Sequence, residues 1–281
     1  MIIDTNHRTT AKLGCLASAG VSAIIRYYAR FTNQPEKRLT RSEAEAIRDA
    51  GMSIAVVHQA AGDHAGAFSH DSGVADATYA RNFGATAIGQ PAGSAIYFGV
   101  DFDAKEPDVS NRIVPYFQAV RNILTASDHL PKYKVGVYGD GVTLKTLLDA
   151  GLVDFTWISQ SVGFPGTRQF KASNRWTLFQ HLSSSICSLD LDVNDLNPAG
   201  ADFGAFNQLD ALAAASARLI VKARSGLRLR AGPGTNFDVQ NVLPFGTAVT
   251  VVSRNGDSAA VDLDGDGAID GFALAAFLGE A

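Results

Sequence analysis

Short apolar, β-branched runs alternate with segments of helical periodicity through the first two hundred residues. The runs fall at residues 2–6, 23–29, 53–59, 95–103, 134–140, 155–160, 176–182 and 189–194, and their brevity and β-branched content read as strands. Between most of them lies a segment of helix length. Thr40 stands as an N-cap with Glu43 completing a capping box, and Gly51 ends that helix. Residues 74–84, 111–126 and 142–150 are three more helices, the last closed by Gly151. The Gly- and Pro-containing stretch between Gln160 and Trp176 does not read as a full helix. Eight strands separated by helices predict a parallel sheet, and eight is the number that closes into a (β/α)8 barrel; a doubly wound open sheet is the rival architecture.

After about residue 206 the texture changes. Residues 205–217 are alanine-rich and read as a linker or the last barrel helix. From 218 to 281 short strands alternate with the turn signals Gly232-Pro233-Gly234, Asn255-Gly256 and Asp264-Gly265. The expected organisation is therefore an α/β chain: a TIM-like barrel over 1–206, a helix or linker over 207–217, and a small all-β SH3-like barrel over 218–281.

The strand ends carry the candidate chemistry. In a (β/α)8 barrel all carboxyl ends meet on one rim. Here they bring Asp4 and Asn6; Arg26, Tyr27 and Tyr28; His58 and Gln59; Asp101 and Asp103; Tyr138 and Asp140; Trp157 and Gln160; Gln180 and His181; and Asp190, Asp192 and Asn194. In Asp101-Phe102-Asp103, strand alternation puts both carboxylates on one face. Repulsion and partial burial would then raise one pKa and leave a proton donor beside an ionised partner, the division of labour that glycosidic cleavage needs. A divalent metal is the alternative use of such a group, with Asp4 and Asp192 completing it. Arg26 either binds an acidic group or pairs with Asp4. His58 and His181 read as structural.

The chain has 281 residues, 46% apolar and 19% charged, with a net charge of −4, an ordinary globular composition. Lys and Arg are scattered, so the electrostatic footprint of a nucleic-acid binder is missing. No apolar stretch is long enough for a membrane span, and no signal peptide is visible, so a protein acting at a wall would leave by a non-standard route or be released. Two cysteines, Cys15 and Cys187, make neither a disulfide framework nor a zinc site. Their pairing requires the first and last strands to adjoin and stays open.

Ile3-Asp4-Thr5, Ile25-Arg26-Tyr27-Tyr28, Lys37-Arg38-Leu39-Thr40 with Glu43-Ala44, Ala50-Gly51-Met52, Tyr97 to Asp103, Val135 to Gly139 and Asp190 to Asn194, in this order, resemble a glycoside-hydrolase-like family of unknown function grouped near the family 25 lysozymes. The resemblance covers about residues 1–206. It implies a TIM-like barrel fitting peptidoglycan-type glycans by carboxylate acid/base chemistry with no required cofactor, or a catalytically silent glycan- or wall-binding protein on the same barrel. The lysozymes carry Asp-x-Glu where this chain has Asp101 and Asp103. By this resemblance Asp103 is the proton donor, Asp101 or Asp192 stabilises positive charge, and Asp4 and Asp192 position the sugar. Tyr27, Tyr138 and Trp157 would stack on sugars, and Gln59, Gln160 and Gln180 would hydrogen-bond them.

Residues 227–235 (Leu-Arg-Leu-Arg-Ala-Gly-Pro-Gly-Thr) with Leu243 to Thr247 resemble a bacterial SH3 module, which implies a cell-wall peptide as partner; a structural cap for the barrel is the rival. The tryptophan usual where Ser258-Ala259-Ala260-Val261 stands is absent. Asp262, Asp264, Asp266 and Asp270 fall at the spacing of a calcium loop, without the closing Glu: Ala273 is there. A plain hairpin explains the same residues.

Overall fold

A computed structural model describes residues 1–127, 130–200, 202–212, 216–264 and 269–280. Eight strands close into a barrel: β1 (Ile2–Asp4), β2 (Ala23–Tyr28), β3 (Ser53–His58), β4 (Ala95–Gly99), β5 (Lys134–Gly139), β6 (Phe155–Ile158), β7 (Leu178–Ile186) and β8 (Leu189–Leu196). From β1 to β7 every neighbouring pair is parallel. The expected all-parallel sheet fails at the last strand, for β8 runs antiparallel to both β7 and β1. Only Cys187 and Ser188 join β7 to β8, both left-handed with φ of 58° and 57°. A link that short makes a hairpin; a parallel return would need a crossover of a dozen residues or more. The rim therefore receives the beginning of β8, with Asp190 and Asp192, rather than its end.

The helices are α1 (Leu13–Ser18), α2 (Arg41–Asp49), α3 (His70–Phe83), the single turn α4 (Glu106–Asp108), α5 (Val114–Leu124), α6 (Gly141–Asp149) and α7 (Thr167–Ala172). Thr40 caps α2 by accepting from Glu43 N–H, as expected. The Glu43 carboxylate does not close the box, because it accepts from Thr9 N–H at 2.8 Å, from the Thr9 hydroxyl at 2.9 Å and from Arg26.

Alternation along the strands sorts their side chains. Ile2, Ala23, Ile25, Ala55, Val57, Tyr97, Phe155, Trp157 and Leu178 fill the barrel, whereas Ile3, Ile24, Ile54, Val56, Ile96, Phe98, Val135 and Val137 join the layer under the helices. The alanine-rich segment after residue 204 shows no helix among its described residues. Residues 203–206 close the barrel floor: Ala95 N–H donates to Gly204 O at 2.8 Å, the Tyr97 hydroxyl donates to Phe203 O at 2.9 Å, and Phe206 bridges Ile54. Gly204 has φ +76°, and a Cβ there would lie 2.2 Å from that of Ala95, so only glycine lets the chain pass.

The C-terminal part is a separate seven-stranded sheet, in the order β11 (Val239–Leu243), β10 (Leu227–Arg230), β14 (Gly271–Leu274), β13 (Ser258–Asp262), β12 (Ala248–Asn255), β9 (Ser216–Val221) and β15 (Leu278–Gly279). Leu219, Val221, Leu229, Val249, Val261 and Leu278 belong to its own core. Val252, Ala260, Ile269 and Phe272 instead join the apolar layer of the barrel. Arg30 donates to Ala231 O, and Asn236 Nδ2 donates to Asp71 at 2.9 Å, so polar contacts border this junction. Cys15, on α1, and Cys187, at the β7–β8 turn, form a disulfide across 172 residues of sequence.

Candidate active site

Tyr27, Gln59, Asp101, Tyr138, Trp157, Gln160, Gln180 and Asp192 line a cavity of about 160 Å³ in the barrel mouth. Tyr27, Gln59 and Asp192 also line a neighbouring cavity of about 270 Å³, together with Asp4, Asn6, Lys37, Ser183 and Asp190. Asp4 and Asp192 are register partners on β1 and β8. Gln180, on β7, donates its single amide nitrogen to both: 3.2 and 3.1 Å to the two Asp4 oxygens and 3.1 Å to Asp192 Oδ2. Oxygens of the two carboxyl groups thus lie within about 6 Å of one another.

Two further bonds fix the amides. The Tyr138 hydroxyl donates to Gln180 Oε1 at 2.8 Å, which turns Nε2 toward the carboxyl groups. Trp157 Nε1 donates to Asn194 Oδ1 at 2.8 Å, and Asn194 Nδ2 donates in turn to Asp4 Oδ2 at 2.7 Å. Burial pushes the Asp4 carboxyl up to about 7; the Asn194 and Gln180 bonds oppose the rise and the charge of Asp192 adds to it. Asp192 Oδ1 is buried with no hydrogen-bond partner. Across the mouth, Asp101 Oδ2 accepts from Gln59 Nε2 at 3.3 Å; partial burial raises its pKa, while the Gln59 bond and Lys37 oppose. Burial and the surrounding carboxylates hold Tyr27 and Tyr138 protonated. The cleft can therefore keep a proton on a buried carboxyl group at neutral pH beside a second carboxylate, among aromatic and amide side chains suited to a sugar.

A family model described as "Rv2525c-like, glycoside hydrolase-like domain" matches residues 14–202. The chain belongs to that family. The uncharacterised proteins YbfG and FadG of Bacillus subtilis are similar in sequence. YbfG is 33% identical over 171 residues, 59% of this chain and 23% of its own length; FadG is 27% identical over 224 residues, 73% of this chain and 38% of its own. The chain thus spans well under half of each of these relatives. The crystal structure of the Tat-secreted protein Rv2525c of Mycobacterium tuberculosis, in complex with HEPES, has a TM-score of 0.60 at 23% identity, covering 73% of this chain and 97% of that one, and shows the shared barrel fold.

Within this Rv2525c-like barrel, two expected site residues lie elsewhere. Arg26 follows the outward parity of Ile24 and is fully buried under α2 in an ion pair with Glu43, Nε to Oε1 3.2 Å, with Thr5 O and Glu36 O as further acceptors. It neither faces the cavity nor pairs with Asp4. Asp103 is exposed, bound to Lys105 Nζ at 2.5 Å, and absent from the cavity lining. Strand β4 ends at Gly99, so the alternation expected to align Asp103 with Asp101 does not extend that far. Trp157 is buried in the barrel beneath Tyr138, with ring centroids 4.8 Å apart, and supports the site more than it presents a stacking face. Gln180 spends its amide on protein groups.

Asp140 also has a raised pKa, about 6 through burial, but it caps α6 by accepting from Thr143 N–H at 2.8 Å. His58 points outward and is buried; burial drives its pKa down to about 4. His181 is exposed and pairs with Asp195 at 2.7 Å. Lys37 is a lining residue that strand-end reasoning missed, because it sits on the turn Pro35–Lys37 beyond β2; its signal lay in the Lys37-Arg38-Leu39-Thr40 motif. In the small domain, carboxylate oxygens of Asp262, Asp264 and Asp270 lie within 4.8 Å of one another, hard donors of the type calcium takes, while Asp266 lies outside the described residues.

Proposed function

We propose that the cleft is a glycosidase site acting on cell-wall glycan, a muramidase-like peptidoglycan hydrolase, in which Asp4 carries the proton. The observation behind this reading is the Asp4–Gln180–Asp192 arrangement: a buried carboxyl group with its pKa near 7, tied through one amide to a second carboxyl group. Asp4 protonates the leaving glycosidic oxygen as the anomeric C–O bond breaks, and its carboxylate then takes a proton from the water that attacks the anomeric carbon, which restores the acid. Asp192, with Oδ1 unpartnered, stabilises the developing positive charge or orients the substrate's own N-acetyl group, a substrate-assisted route. Asp101 and Gln59 hold the sugar from the opposite wall, and Tyr27 and Tyr138 offer aromatic surface.

The Cys15–Cys187 bond fits an oxidising compartment, which supports action outside the cytoplasm. The all-β domain acts as a cap on the barrel: Ala260 stands in the stretch where the bacterial SH3 module carries its tryptophan, and Ala260 packs into the barrel's apolar layer. A cell-wall peptide would then need another face of that domain.

A silent glycan binder is the second reading, favoured by Asp103 standing outside the cavity where the lysozyme-like pattern expects its acid. Incubation with purified peptidoglycan and mass spectrometry of the soluble products separates the two. The enzyme reading expects muropeptides with new reducing ends from the parent and from Asp103→Asn, and none from Asp4→Asn. Silence from all three, with retained pull-down by the wall, establishes the binder.

A further inference from the structure

The two cavities of the cleft are lined by Asp4, Asp101, Asp190 and Asp192, and by one cation among the described residues, Lys37. Its ammonium lies 4.5 Å from the centroid of the Tyr27 ring and donates to Gln59 Oε1 at 3.1 Å. Both neighbours are neutral. Among the described residues no carboxylate oxygen comes within the 4.0 Å of an ion pair. The side chain is half-buried, and desolvation lowers its pKa, with Asp101 opposing from a distance. A partly desolvated ammonium held by an aromatic face and an amide, with no anion in contact, keeps donor capacity for a ligand. A neutral polysaccharide would offer it only hydroxyl and amide oxygens. A carboxylate would offer a charge-assisted bond, stronger than a neutral one and stronger in this half-buried setting than in open water.

We propose that Lys37 is a specificity-determining residue that pairs with a carboxylate borne by the glycan, so that the cleft selects acidic strands, such as peptide-free strands with free lactyl carboxylates, over neutral strands of the same backbone. This rests on the glycan-site reading above and names the substrate class of that site.

The test is calorimetric titration of the full chain, in an Asp4→Asn background that suppresses turnover, with three β-1,4-linked tetrasaccharides. The first alternates N-acetylglucosamine with N-acetylmuramic acid; the second is the same molecule with its lactyl carboxylates converted to methylamides; the third contains N-acetylglucosamine alone. The acidic sugar is expected to bind about tenfold or more tightly than either neutral one. Lys37→Met should abolish that ratio, and Lys37→Arg should keep it. Equal binding of all three sugars overturns the inference while leaving the glycan site standing. A Lys37→Met loss that is the same for all three also overturns it, since it would show that the lysine only positions Gln59. Binding of none of the sugars removes the glycan reading itself, and the inference with it.

Discussion

The Tyr138 hydroxyl donates to Gln180 Oε1 at 2.8 Å, and this one bond decides which way the Gln180 amide faces. With the oxygen committed to Tyr138, the nitrogen must meet Asp4 and Asp192. Tyr138→Phe frees the amide to turn. Activity on peptidoglycan is expected to fall about tenfold, with a change in thermal midpoint of only a few degrees, because a neutral hydrogen bond contributes about 1 kcal/mol. Parallel activity and melting measurements check this. An unchanged rate would separate Gln180 from the chemistry.

The Asp4 carboxyl group titrates near 7 in the folded chain against 3.8 for the free group. Between those values the folded state holds a proton that the unfolded state has released. The stability associated with Asp4 is therefore complete below about pH 4 and declines as pH rises through 7, by at most about 4 kcal/mol. Urea unfolding from pH 4 to 8 is expected to show this decline in the parent and a shallower profile in Asp4→Asn.

Arg26 and Glu43 are structural. Replacing Glu43 by Ala leaves a fully buried guanidinium without its counter-charge and removes the acceptor of Thr9. The expected loss is about 3–5 kcal/mol by chemical denaturation, with the affinity of the molecules that remain folded unchanged.

Reduction of Cys15–Cys187, or the double Cys→Ser variant, should lower stability by about 2–5 kcal/mol, since the bond closes a long loop. The same bond anchors the turn of the β7–β8 hairpin, whose Ser183, Asp190 and Asp192 wall the cleft. Glycan affinity should therefore fall along with stability. Denaturant melts and glycan titrations with and without reductant measure both.

Strand parity explains how much of this was legible in the sequence. Counting from Ile25, which fills the barrel, puts Tyr27 in the cleft and Arg26 behind it, so the alternation that finds one residue rejects its neighbour. Extending the same alternation past Gly99 misplaces Asp103, because no strand continues there. The reversed β8 was also readable: residues 183–188 are too few for a crossover between the predicted strands. The pairing of Cys15 with Cys187 needed the tertiary fold, since it depends on where the hairpin turn meets α1. The non-helical course of 205–212 was hidden, since Phe206 and Asp210 make their backbone bonds to Ile54 and Gly89, far away in sequence.

The most direct test of the account is the pH profile of peptidoglycan cleavage, followed by reducing-end release, for the parent and Asp4→Asn. A proton held by Asp4 predicts a parent rate that falls as pH rises through about 7, and no cleavage by the variant. A parent rate that stays level from pH 6 to 8, or cleavage that survives in Asp4→Asn, would contradict it.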